Sequence, residues 1–443
     1  MNGHDDGVRL NGGLALFPAF VLCCLAVLPC TGQERASPWD EGGDFWRLHW
    51  YERGLEHGNP FYNSRFRVNS PEAALLPAFK DRSEVRGNGL MLILAEEDLG
   101  QISAADLYLE IWGGHPGTAN KRVMVNGRSQ YSLPEVGTAA GHCTHQYPTI
   151  PLRITDLVNG YNAVQFSCDQ GASFWGHFIV DNACLRVALR RGHPDLIKAD
   201  LADFSAEVEA ACADDRAEGF QLTLAARPAD MARIASVDFL ARYAGYDENG
   251  DGRATDWHGF TKGREPAAIV ASVREPAFSV LWDTSMLVDQ EEIAVRAIVH
   301  FKGQPGIVYV TRPRRAPRFR RAGGSHVAMV RPGDMPAPFW SRAGKKNRCT
   351  ITLDADPERI QRAELHVVAW DGGAGTVRDY FTLNRHPLPI AGEGRHDVIY
   401  SRVPIDPGIL RRGPNEIELL SDTDHHGIEI LLPGPALVIR AGR

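Results

Sequence analysis

Apolar and polar residues alternate with a period of two in several short runs. In LYLEIW (107–112), Leu107, Leu109 and Ile111 share one face, and Tyr108, Glu110 and Trp112 share the other. Leu365, Val367 and Ala369 repeat the pattern in LHVVAW, and Val237, Phe239 and Ala241 repeat it in IASVDFLARY (234–243). Ile293, Val295 and Ala297 do so again in EIAVRAIVHF (292–301). Successive strand side chains point to opposite faces, so each run predicts a strand with one buried face. Gly, Pro and Asn turns separate the runs and no long helical pattern intervenes, which predicts an all-β protein built of sandwiches.

The chain also repeats itself. LYLEIWGGHPGT (107–118) and LHVVAWDGGAGT (365–376) place Trp112, Gly114, Gly117 and Thr118 against Trp370, Gly372, Gly375 and Thr376 at an offset of 258. Asn126 and Asn384 keep that offset. Further on, Pro151, Gly160 and Asn162 match Pro404, Gly413 and Asn415 at an offset of 253. A shared motif order with one loop-length change is the mark of an internal duplication.

The order of motifs in each copy is strand, Trp-Gly loop, Val-Asn-Gly hairpin, Leu-x-x-Gly-x-Asn strand, final strand. It resembles the galactose-binding-like jelly rolls that serve as carbohydrate-binding modules in secreted bacterial proteins. The order V-x-F-L, FSVLWDT, IAVRA between the copies resembles a bacterial immunoglobulin-like domain. The resemblance implies an all-β fold of two jelly-roll β-sandwiches, at 65–190 and 335–443, with an immunoglobulin-like β-sandwich at 215–312 between them. Residues 191–214 and 313–334 are expected to be linkers, the second lying in and after the basic run RPRRAPRFRR (312–321). An N-terminal aromatic segment (33–64) is expected to wrap the first jelly roll, or to expose Trp46 and Trp50 as a platform.

Composition adds a compartment. The apolar run 14–28 is too short to span a bilayer and has the length of a signal-peptide core, so 1–32 is expected to be a signal peptide and the protein to be secreted. A net charge of −7 gives no reason to expect nucleic acid as a partner. Five cysteines follow residue 32, with no CxxC pair; one disulfide, Cys143 with Cys168, is expected.

Two sets of residues carry candidate chemistry. In YDENGDGRATDWHG (246–259), Asp247, Asn249 and Asp251 alternate ahead of Gly252, as in a calcium loop, with the Arg253 carbonyl and Asp256 as further oxygens. His258 stands where a helix-pair calcium sensor needs Glu, and the flanks are strands, so the expected ion is a structural Ca²⁺. A polar Asx turn without metal is the alternative. The first copy holds His115, His145, Asp169, Trp175 and His177, which lack an equal set in the second; these are the candidate ligand-binding residues. The expected function is non-catalytic binding of carbohydrate or a cell-surface glycan. A polysaccharide lyase or hydrolase using the His/Asp cluster, and a structural spacer, are the alternatives.

Overall fold

The alternating runs are strands of an all-β protein in the computed structural model, which describes residues 37–52, 66–68, 89–135, 137–169, 178–213, 218–317, 321, 324–424 and 427–442. Trp175, His177 and the expected signal peptide lie outside the described residues. Among the described residues no helix is long and apolar enough to cross a membrane.

Leu107, Leu109 and Ile111 do face a core, on the strand Ile102–Gly114. Their sheet packs over a second sheet of four strands, Leu90–Ala95, Gly160–Asp169, Ala119–Val125 and Ser129–Ser132, whose Ile93, Val123, Val164 and Phe166 fill the same core. The first copy is thus a two-layer sandwich. Its other polar-reading face is not in water: Glu110 is 4% exposed and Trp112 9%. That face is covered by the middle unit, described below.

The N-terminal aromatic segment does more than wrap. Asp44–Trp50 is a strand that pairs on one side with Phe178–Leu189 of the first copy and on the other with Ile307–Val310 of the middle unit. One sheet therefore runs without a break through both sandwiches, and one hydrophobic core follows it. Trp46 is fully buried, so it forms no exposed platform. Trp39 is buried too, with the Arg186 guanidinium 4.0 Å from its ring; that guanidinium also grips Asp106 at 2.5 and 2.9 Å.

The middle unit packs Ile234–Ala244 and Ala294–Phe301 over a three-stranded sheet of Ala206–Cys212, Gly219–Ala226 and Ser279–Asp283. Residues 206–212 thus belong to this sandwich, although the sequence reads there as linker. The basic stretch is also in part docked. Arg314–Arg315 pairs with Ala294–Phe301, and Arg321 donates to the Ser285 carbonyl at 2.8 Å and to Asp289 at 2.8 Å.

The second copy is a sandwich with its own core. Its first strand, His326–Val330, lies beside the last, Ala436–Ala441, so the sheet starts nine residues ahead of the expected boundary at 335. Short 3-10 turns recur at matching places in the copies. Leu99–Gln101 and Pro357–Arg359 follow the capping residues Asp98 and Asp356, and Ile154–Asp156 matches Pro407–Ile409. The duplication is structural as well as sequential.

The expected disulfide is absent. Cys143, Cys168, Cys184, Cys212 and Cys349 are all free. Cys143 is turned toward the second copy, where its carbonyl accepts Leu432 N–H at 3.1 Å, while the Cys168 thiol points to the Val68 carbonyl at 3.5 Å.

Candidate functional site

The YDENGDGRATDWHG loop sits where all three sandwiches meet. Tyr246 is 4% exposed and packs with Trp112 and Cys143 of the first copy and Val368, Leu431 and Ala436 of the second. Its hydroxyl donates to the Gly434 carbonyl at 2.6 Å and accepts Val368 N–H at 3.0 Å. From the first copy, Tyr147 N–H donates to the Asn249 carbonyl at 3.1 Å, and His145 Nε2 is 2.6 Å from the Glu248 carbonyl. Gly250, at φ +70°, lies so close to His145 that a Cβ there would come within 2.1 Å of its carbonyl oxygen. Any side chain at 250 would force the two units apart.

Within the loop the short alternation of polar residues folds into a tight turn closed by side-chain oxygens that accept backbone N–H groups. Asp247 accepts the N–H groups of Asp251 (3.0 Å) and Gly252 (2.9 Å) through separate oxygens, and Asp251 accepts Arg253 N–H at 2.8 Å. The Asn249 amide donates to Asp256 at 2.9 Å. Burial raises the Asp251 carboxyl, and the adjoining Asp256 carboxylate, by hydrogen bond and by charge, helps carry it to about 8. Two carboxylates held together in this way suit a hard cation, and the Asn249 and Arg253 oxygens are of the right class to complete its shell. No three His, Cys, Asp or Glu side chains are placed to hold a metal among the described residues, so such an ion would depend on those amide and carbonyl oxygens as well.

His258 does not stand in for the missing Glu. Its Nδ1 lies 2.8 and 2.9 Å from the two oxygens of Glu248, and its ring stacks on Tyr243 at 3.5 Å. Burial lowers this imidazole's pKa, but the Glu248 carboxylate, together with the Tyr243 carbonyl and Asp256, raises it overall.

After the loop the chain forms a hairpin, Phe260–Lys262 paired with Glu265–Ala267, wedged between the copies. Its turn residues Gly263 and Arg264 have positive φ, so their N–H groups converge. Glu110 of the first copy receives both, at 3.1 and 3.0 Å, together with the Thr261 hydroxyl at 2.5 Å. Tyr108 accepts Thr261 N–H at 2.8 Å, and Phe260 stacks on Tyr147 at 4.3 Å. On the opposite side Lys262 pairs with Asp397 at 2.6 Å and donates to the Val398 carbonyl at 2.9 Å.

Between this hairpin and the second copy lies an open cleft of about 340 Å³. Phe260 and Lys262 form one wall; Tyr380, Glu393, Arg395 and Tyr400 are the chief side chains of the other. Asp371, 1% exposed, fixes the loop beneath by accepting Gly394 N–H at 2.9 Å and Arg395 N–H at 3.3 Å. The matching residue of the first copy is Gly113, so this anchor exists in one copy only.

The described candidate ligand residues of the first copy, His115, His145 and Asp169, do not line the cleft. His145 is 2% exposed, and burial drives its imidazole down to about 4, so it is a neutral contact to the middle unit. His115 lies edge-on to Trp112 at 4.4 Å. Asp169 pairs with Arg122 at 3.0 Å on its own sheet. Trp112 and Trp370 recur for different uses: the first is buried at the three-way junction, the second is half-buried beside His396. Sequence reasoning missed Tyr380, Lys262 and Arg395. The one available signal was that Asp371 replaces the glycine of the other copy.

No family model matches the sequence, and no curated protein matches it. Among solved structures it is similar to BpGH86A, a β-porphyranase of glycoside hydrolase family 86 from the human gut bacterium Bacteroides plebeius. The identity is 12% and the TM-score 0.23, with 54% of this chain and 36% of that one covered. It is similar at 11% and 0.23 to BuGH86 in complex with neoagarooctaose, covering 54% of this chain and 33% of that one. The chain thus spans about a third of the length of these structures, and a likeness at such TM-scores carries no argument here.

Proposed function

We propose that the protein is a secreted, non-catalytic carbohydrate-binding protein in which two galactose-binding-like jelly rolls flank an immunoglobulin-like sandwich. The observation that carries this reading is the cleft between the Phe260–Lys262 wall and the Tyr380–Tyr400 wall. It combines aromatic rings, which suit the C–H faces of sugars, with charged side chains that hydrogen-bond to hydroxyls. Its walls are fixed in advance by Glu110 and Asp371, so a ligand need not order them on binding. A Ca²⁺ held by Asp251 and Asp256, with the Asn249 and Arg253 oxygens, would stiffen the junction four residues ahead of the hairpin without touching the sugar, while Asp247 braces the loop through the Asp251 and Gly252 amides. The partner is a glycan, not nucleic acid.

The test is retention of the 35–443 protein on a broad panel of immobilised polysaccharides, with Ca²⁺ and with chelator. Retention on one class of glycan is expected, weakened by chelator together with a fall in melting temperature. Absence of retention on every glycan in Ca²⁺ favours the spacer reading.

A further inference from the structure

We infer that the cleft takes an uncharged polysaccharide chain and rejects sulfated or uronate-bearing ones. The inference rests on the carbohydrate-binding reading and adds the chemical class of the ligand. Its basis is the charge arrangement of the cleft. Two cations face it, and neither lacks a partner. Lys262 is bound to Asp397 at 2.6 Å and to the Val398 carbonyl at 2.9 Å. Arg395 grips Glu393 through Nε at 2.7 Å and Nη2 at 2.5 Å. Asp371 adds a third carboxylate beneath the loop, where it accepts the Gly394 and Arg395 N–H groups. Among the described residues, two positive side chains, Lys262 and Arg395, meet three negative ones, Glu393, Asp371 and the Lys262 partner Asp397.

A sulfate or carboxylate entering this space could reach only the spare N–H of Lys262 or the Nη1 of Arg395, and there it would lie beside Asp397 or Glu393, whose charge already offsets the cation. Like charges brought together at an interface are strongly unfavourable, whereas a neutral hydroxyl donates to Glu393 or accepts from Lys262 with the pairs left intact. Basic binding sites for anionic polymers show the reverse arrangement, an excess of cations over carboxylates.

The aromatic residues point the same way. Gly392 leaves room for Tyr380: a Cβ at 392 would come within 2.1 Å of its ring. The Tyr400 ring stacks on Tyr246 at 5.6 Å, and its hydroxyl already meets His366 Nδ1 at 2.8 Å. Ring faces and charged groups already paired with one another are what the cleft offers a ligand.

The experiment compares matched polymers on the full chain: dextran with dextran sulfate, and neutral galactan with sulfated galactan, by affinity electrophoresis at low and high salt. At least one neutral polymer should retard the protein, with its sulfated partner about tenfold or more weaker at low salt. Tyr380→Ala should abolish the retardation. Glu393→Lys, on an exposed loop, should raise binding of the sulfated partner. Retardation by sulfated polymers alone, lost at high salt, would overturn the charge-class inference and leave carbohydrate binding standing. Retardation by neutral polymers that neither Tyr380→Ala nor Glu393→Lys alters would overturn the assignment to this cleft. No retardation by any polymer, with the protein folded by circular dichroism, would overturn both readings.

Discussion

Asn126 and Asn384, 258 positions apart, hold the same network. Asn126 donates to Asn162 Oδ1 at 2.8 Å and to the Asp156 carbonyl at 2.8 Å, and accepts Ala163 N–H at 2.9 Å. Asn384 donates to Asn415 Oδ1 and the Ile409 carbonyl, both at 2.8 Å, and accepts Glu416 N–H at 3.0 Å. Both have φ near +50°, where Asn is the best tolerated residue after Gly. Asn126→Ala and Asn384→Ala should each cost on the order of 2–4 kcal/mol, since buried partners are left unpaired and the backbone is strained. Denaturant unfolding of the two variants would check this; a cost below about 1 kcal/mol in either would break the equivalence.

Glu110 lies outside the cleft yet should control it. Glu110→Ala removes the acceptor for the Thr261 hydroxyl and for two turn amides, so hydrogen exchange at Gly263 and Arg264 should speed up and glycan retention should weaken. Exchange at those amides as slow as in the parent would show that the hairpin is held by its other contacts.

Asp251→Asn should change sign with cation. Without calcium it relieves the Asp251–Asp256 conflict and should raise the melting temperature at neutral pH. With calcium it removes a charged ligand and should lower it relative to the parent. Calorimetry of both proteins in chelator and in Ca²⁺ gives the four values needed. An equal shift in both conditions would count against a bound ion.

The pH dependence should show His145. Its folded pKa, about 4, lies below the ordinary 6.5, so between those values the unfolded chain binds a proton that the folded chain does not. Stability should therefore fall as pH drops from 6.5 to 4, by up to about 3 kcal/mol, and this contribution should level off below pH 4. His258 acts oppositely: with its folded pKa raised, its contribution is full below 6.5 and is lost as pH rises through the folded value. His145→Gln should flatten the acid limb alone, as read from melting temperature against pH.

The all-β class and the duplication were legible because each depends on short local patterns: period two for the strands, and Gly, Asn and Trp at fixed offsets for the copies. The site was not, because its residues acquire their roles from partners far along the chain. Glu110 reads as the polar face of a strand and becomes the anchor of a turn 153 residues away. Trp112 reads as a marker of the fold and is in fact part of the junction. His145 reads as a loop histidine free to bind a ligand, but the middle unit buries it. Packing between sandwiches leaves no period in the sequence, so only the unexpected burial of a polar-reading face reveals it.

The strand Asp44–Trp50 also sets an order of events. It can complete its pairing only when Val310, 266 residues further on, has been made. Until then its aromatic residues and the facing strand edges have no cover. Contacts that close such long loops form late and slowly, and uncovered edges are prone to pair with other chains. The first strand among the described residues is therefore among the last to be locked, and a chain cut short before Ile307 would present an open sheet edge to its neighbours.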